Sequence, residues 1–160
     1  MSAEQYAAAN EKYAASFTQG DLALPPSKHT IVVTCMDARI DPAASLGINL
    51  GEAHVIRNAG GRATDALRSI LISQRLLGTS EIVLYHHTGC GMLTFRDEDI
   101  RAKLGNTPEA EEIAFLPFGD LEKSVKDDVK YLKEHPLVLK DAKISGWIYE
   151  VESGKVKQVA

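Results

Sequence analysis

The sequence predicts an α/β fold: a mainly parallel central β-sheet flanked by helices, with a C-terminal β-hairpin. Two observations carry that reading. Short apolar runs at His29 to Cys35, Ala53 to Arg57 and Glu81 to His86 alternate with helix-like segments, the rhythm of strand–helix–strand units with right-handed crossovers. Near the end, Lys143 to Glu152 and Lys155 to Val159 flank Ser153-Gly154, the pattern of a hairpin. With 160 residues the chain is long enough to bury one core, and a single domain over 1–160 is expected.

Taken in order, Ser2 to Phe17 reads as a helix. Ala, Glu, Gln and Lys dominate it, and Tyr6, Ala9, Tyr13 and Phe17 recur at helical spacing. This arm over 1–17 packs either on its own core or on a second subunit. Gly20 to Lys28, with Pro25-Pro26, is a linker. His29 to Cys35 is apolar on both faces, which suits a central parallel strand. Asp41-Pro42 closes the loop after it, Ala43 to Leu46 forms a helical turn, and Gly47 to Gly51 turns the chain towards the second strand.

Asn58-Ala59-Gly60-Gly61 is a tight glycine loop. Thr64 is the expected N-cap of a helix running to Leu77, with Leu67, Ile70, Leu71, Gln74 and Leu77 on one face and Gly78 as its stop. After the third strand, Gly91 to Phe95 forms a short apolar turn. Asp97 to Leu104 and Thr107 to Ala114 read as helices, the second with Pro108 at its first position. Leu116-Pro117-Phe118-Gly119 breaks the pattern. Asp120 to Glu134 is a helix with Leu121, Val125, Val129 and Leu132 on one face and its Lys and Asp residues outside.

Composition excludes several classes. Apolar residues make up 44% and charged residues 25%, as in an ordinary globular protein. The net charge is −4 and no basic block occurs, so nucleic-acid binding has no electrostatic support. No run approaches the roughly 20 apolar residues of a membrane span. The first residues carry acids and lack the apolar centre of a secretory signal, which makes the cytoplasm the expected location.

The chemistry gathers at the strand ends. The run Ile31 to Arg39, I-V-V-T-C-M-D-A-R, places Cys35, Asp37 and Arg39 after one strand, and His87 and Cys90 follow another as H-x-x-C. Ligands of open parallel sheets sit at such carboxyl ends. Two thiolates and one imidazole are a soft donor set, and three protein ligands with an open fourth position form a catalytic zinc pattern. A Cys35–Cys90 disulfide is the weaker alternative in a reducing compartment. Asp37 can accept a hydrogen bond from a zinc-bound hydroxide while Arg39 clamps it and keeps it ionised. It can also fill the fourth position and close the site. Gly60 and Gly61 let the backbone approach the pocket closely. On a strand His86 points away from His87, so it is expected to pack or hydrogen-bond rather than bind metal. His29, His54 and His135 are given no catalytic role.

These residues resemble the β-class carbonic anhydrases. The resemblance lies in C-M-D-A-R at Cys35 to Arg39, R-N-A-G at Arg57 to Gly60 and H-T-G-C-G-M at His87 to Met92, in the family's order and spacing. It implies one Zn2+ per subunit on Cys35, His87 and Cys90, with water or Asp37 as fourth ligand, and a catalytic Asp37–Arg39 dyad. It further implies an assembly based on dimers, as homodimer or homotetramer. The chain is similar to the short branch of the family, which carbonyl sulfide hydrolases also resemble. The function expected is attack of zinc-bound hydroxide on a small linear heterocumulene: hydration of carbon dioxide to bicarbonate, hydrolysis of carbonyl sulfide to hydrogen sulfide and carbon dioxide, or both. Gly60, Gly61, Met92, Leu93 and Phe95 are expected around the substrate. Two alternatives stay open: a non-catalytic zinc protein closed by Asp37, and a redox or nucleotide-binding α/β domain.

Overall fold

The first helix stands on the surface, uncovered by any of the described residues. In this computed structural model, which describes residues 2–160, helix α1 (Ala3–Ala15) is fixed at its start by a reciprocal cap between Ser2 and Gln5. It contains no buried residue, and the exposed stretch continues to Pro25. Pro26 is the first buried residue, where the linker meets the body.

Five strands form the sheet: β1 (Thr30–Cys35), β2 (Ala53–Asn58), β3 (Glu81–His87), β4 (Lys143–Tyr149) and β5 (Val156–Gln158). Their spatial order is β2-β1-β3-β4-β5. The first four are parallel, and β5 returns antiparallel to β4 as the expected hairpin. From β1 the chain steps to β2 on one side and then crosses to β3 on the other. The carboxyl ends of β1 and β3 therefore flank the switch point where an open sheet leaves a crevice.

Helices α3 (Ala63–Leu77) and α6 (Leu121–Glu134) cover one face. Ile31 and Val33 of β1 and Ile82 and Leu84 of β3 meet Ile70 of α3 and Leu132 of α6 there, all fully buried. Each such side chain contributes about 1.5–3 kcal/mol of burial. Gly146 of β4 has no room for a Cβ beside Val125, which lets α6 lie directly on the strand. On the other face Val32, Tyr85, Trp147 and Tyr149 pack with Leu46 and Ile48, supplied by α2 (Pro42–Leu46) and the turn after it. That face is only partly covered. A groove of about 420 Å³ remains between α2 and the strands, lined by Val32, Leu46, Val83, Trp147 and Val156.

Several expectations need correction. Helix α3 starts at Ala63, so Thr64 is not its cap, and Arg62 at the cap position makes no side-chain capping bond. The Asp128 carboxylate of α6 accepts the Ala63 N–H at 2.9 Å instead. Asp128 itself is 1% exposed, against the outward position read for the acids of that helix. β3 runs through His87, and β4 stops at Tyr149 because the chain turns at Glu150 to Gly154. The helix expected over 107–114 shortens to α5 (Pro108–Glu111), and α4 spans Asp97–Lys103. No helix among the described residues is long and apolar enough to cross a membrane.

Candidate metal centre

Parallel pairing of β1 with β3 brings the two strand ends together. Cys35 closes β1, His87 closes β3, and the Thr88-Gly89 turn carries the chain back so that Cys90 faces them. Gly89 takes φ +61°, a conformation that favours glycine. The two sulfurs lie 3.9 Å apart as free thiols, and the donor atoms of Cys35, His87 and Cys90 all fall within 4.8 Å of one another. All three residues are buried.

The donors fit a zinc ion. His87 Nδ1 faces the Thr88 carbonyl at 2.9 Å, and a carbonyl only accepts, so Nδ1 carries the proton. Nε2 then presents a lone pair. It is buried and has no hydrogen-bond partner, an orphan that a metal would satisfy. Two sulfurs about 2.3 Å from a tetrahedral centre stand ~3.8 Å apart, close to the spacing seen. Electrostatics favour one of the two thiolates. Cys35 is lowered to about 4, first by the hydrogen bond from the Cys90 side chain, against burial, with further help from His87 and the backbone N–H groups of Asp37 and Gly60. The same pairing, with burial, pushes Cys90 up. His87 is drawn down by burial, but contact with Cys35 and the Thr88 carbonyl outweighs this and raises it.

Around the donors lies a second layer. Arg39 holds Asp37 through two parallel bonds, and its backbone N–H reaches Oδ1 at 2.9 Å. These contacts hold the Asp37 carboxyl well below the usual range. Asp37 Oδ2 stands 3.6 Å from His87 Nε2 and lies outside the three converging donors. Arg57 donates to the carbonyls of Cys35 at 3.0 Å and Asp37 at 2.6 Å, so it shapes the turn that presents both residues. Within R-N-A-G, no local pattern marks Arg57 for this role.

A cavity of about 300 Å³ opens beside the thiols. Gly60, Met92 and Phe95 line it, together with Met36, Asp37 and Ala59. Gly61 sits behind this wall, packed on the Thr34–Cys35 backbone, and Leu93 lines a neighbouring cavity of about 350 Å³ with Phe118. Phe118 was not singled out from the sequence. It stacks on His86 and backs Gly60 and Met92. His86 does point to the opposite face, where it bonds Gly61 and Ser124. His54 bonds Ser73, away from the centre.

Fold and site together define an α/β protein with a Cys–His–Cys metal centre at the switch point of its sheet. A family model described as carbonic anhydrase matches residues 30–115. Beta-carbonic anhydrase 1 of Mycobacterium tuberculosis is 44% identical over 163 residues, covering 98% of this chain and 96% of that protein. A carbon disulfide hydrolase of Acidithiobacillus thiooxidans is 35% identical, covering 85% of this chain and 79% of its own. Among solved structures, a carbonic anhydrase from Glaciozyma antarctica superposes with a TM-score of 0.92 at 50% identity, covering 96% of this chain and 95% of that one. The chain belongs to the β-carbonic anhydrase family.

Proposed function

We propose that the protein is a zinc-dependent enzyme adding water to small linear heterocumulenes, with carbon dioxide hydration to bicarbonate as its principal reaction. The single observation carrying this is the partnerless, buried His87 Nε2 facing two thiols 3.9 Å apart. Bound by Cys35, His87 and Cys90, zinc supplies the Lewis acidity that makes water a nucleophile near neutral pH.

The chain's own residues do the rest. Asp37 accepts a hydrogen bond from the attacking water and fixes the direction in which its lone pair points. Arg39 keeps that carboxylate ionised and oriented. Met92, Phe95 and Ala59 give the pocket an apolar wall that suits a linear, uncharged substrate. The grip of Arg39 on both Asp37 oxygens favours this open reading over a site closed by Asp37. Similarity to carbon disulfide hydrolases supports a second activity of the same site, hydrolysis of carbonyl sulfide to hydrogen sulfide and carbon dioxide.

The assembly belongs to the same reading. Among the described residues, an arm with no buried residue and an open groove beside Trp147 are two exposed surfaces of one chain. They support a homodimer, or a homotetramer built from dimers, in which each arm covers its partner. Stripping zinc with a chelator should abolish carbon dioxide hydration in stopped flow, and one equivalent of zinc should restore it. Activity that survives complete removal of metal would sink the proposal.

A further inference from the structure

We propose that Asp128, on α6 and across the sheet from the thiols, is a positioning residue for the metal centre: through Arg62 and Ala63, beside the His86 that bonds Gly61, it holds the Gly60–Gly61 loop against Cys35. This rests on the metal-site reading above and deepens it.

Asp128 is a buried carboxylate whose side chain is 2% exposed. Its Oδ2 accepts Arg62 Nε at 3.1 Å and the Ala63 N–H at 2.9 Å, and its Oδ1 accepts Arg62 Nη2 at 2.9 Å. His86 Nε2 lies 3.6 Å from Oδ2 and donates to the Gly61 carbonyl at 3.0 Å. Asn58 closes the loop from its other end, bonding both the N–H and the carbonyl of Arg62. One carboxylate thus anchors the segment from Gly61 to Ala63.

The loop so anchored has no slack. A Cβ on Gly61 would stand 2.9 Å from the Thr34 carbonyl carbon and 3.0 Å from Cys35 N. A Cβ on Gly60 would stand 2.9 Å from Met92 and 3.0 Å from Phe118. Arg62 also fixes the outer layer. Its Nη1 donates to the Leu116 carbonyl at 2.9 Å, and its guanidinium lies 5.5 Å over the Phe118 ring. Movement of Asp128 therefore reaches Cys35 through packed backbone, and reaches the pocket wall through Gly60 and Met92.

The test uses full-length protein loaded with cobalt(II), whose sulfur-to-metal charge-transfer absorption reports the surroundings of the bound thiolates. Asp128→Asn removes the charge and sets an NH2 against Arg62. Arg62→Lys keeps a charge but loses the fork, and it carries the same test if the first variant does not fold. The expected result is a shift of the band away from its wild-type wavelength, because the Thr34–Cys35 backbone that carries the thiolate moves with the loop packed on it. Zinc affinity should also fall about tenfold, as when groups behind metal ligands are lost. Lower thermal stability with the band at its wild-type position in both variants would overturn the inference and leave Asp128 a folding residue. Wild-type protein that binds no stoichiometric cobalt would instead remove the metal-site reading itself, and this inference with it.

Discussion

Arg39 grips Asp37 by both carboxylate oxygens, Nε 3.0 Å from Oδ1 and Nη2 2.8 Å from Oδ2, and the same Nη2 reaches the Gly89 carbonyl at 2.9 Å. The turn after β1 is thereby tied to the turn after β3, across the metal centre. Orientation of Asp37, more than its charge alone, follows from this. Asp37→Ala should keep one zinc per chain yet lower carbon dioxide hydration about 10- to 100-fold. Metal analysis beside stopped-flow rates checks this, and a normal rate would remove Asp37 from the mechanism.

Removing a ligand acts differently. Cys35→Ala or His87→Ala should lose both zinc and activity, because the remaining pair cannot hold the ion against water and chelators. Equilibrium dialysis of each variant separates loss of metal from loss of chemistry.

Gly61 and Gly78 make a controlled comparison. Both are left-handed, at φ +66° and +69°, but a Cβ on Gly61 meets backbone at 2.9 Å whereas Gly78 has nothing within 4 Å. Gly78→Ala should cost about 1 kcal/mol of backbone strain. Gly61→Ala should cost at least ~2 kcal/mol and weaken zinc binding as well. Equal urea midpoints for the two variants would contradict the close packing described for the loop.

Burial holds His86 below its ordinary range, despite the opposing pull of Asp128 and the Gly61 carbonyl. Below about pH 6.5 the unfolded chain takes up this proton before the folded one does. The stability contributed by neutral His86 is thus present above that pH and is lost as pH falls towards the folded-state value. Urea midpoints of wild type and His86→Gln should draw together between pH 7.5 and 5.5. A constant gap would show that His86 titrates normally in the fold, and a widening gap that the fold favours its charged form; either contradicts the account.

The exposed rings of the arm carry the assembly prediction. Tyr13 and Phe17 are 58% and 42% exposed, with ring centroids 5.5 Å apart. Replacing both with Asp should shift the protein towards monomer in light scattering while the far-ultraviolet helix signal persists. An unchanged mass would place the subunit interface elsewhere.

Much of this was legible in the sequence because strands declare themselves locally. Cys35 and His87 stand where apolar runs end, and the H-x-x-C spacing puts Cys90 within reach of both. Less visible was whatever depended on distant partners. The start of α3 is set by a carboxylate 65 residues away, so Thr64 only looked like a cap. Asp128 read as a surface charge, although its spacing three residues after Val125 and four before Leu132 puts it on the buried stripe. Phe118 sat in a segment without periodicity, and its place behind Gly60 and Met92 follows from the return of the chain through Phe118 N and the Met92 carbonyl. Arg57 bonds carbonyls on a neighbouring strand's turn, a contact no local pattern encodes.

The most direct measurement is a paired assay on zinc-loaded protein from pH 7 to 9, following carbon dioxide hydration by stopped flow and hydrogen sulfide release from carbonyl sulfide. Efficient hydration, with sulfide release as the lesser activity, is the result expected of this pocket. Sulfide release that greatly exceeds hydration would reverse the order of substrates on the same centre. Silence in both assays, with one zinc bound per chain, would contradict the account at its core.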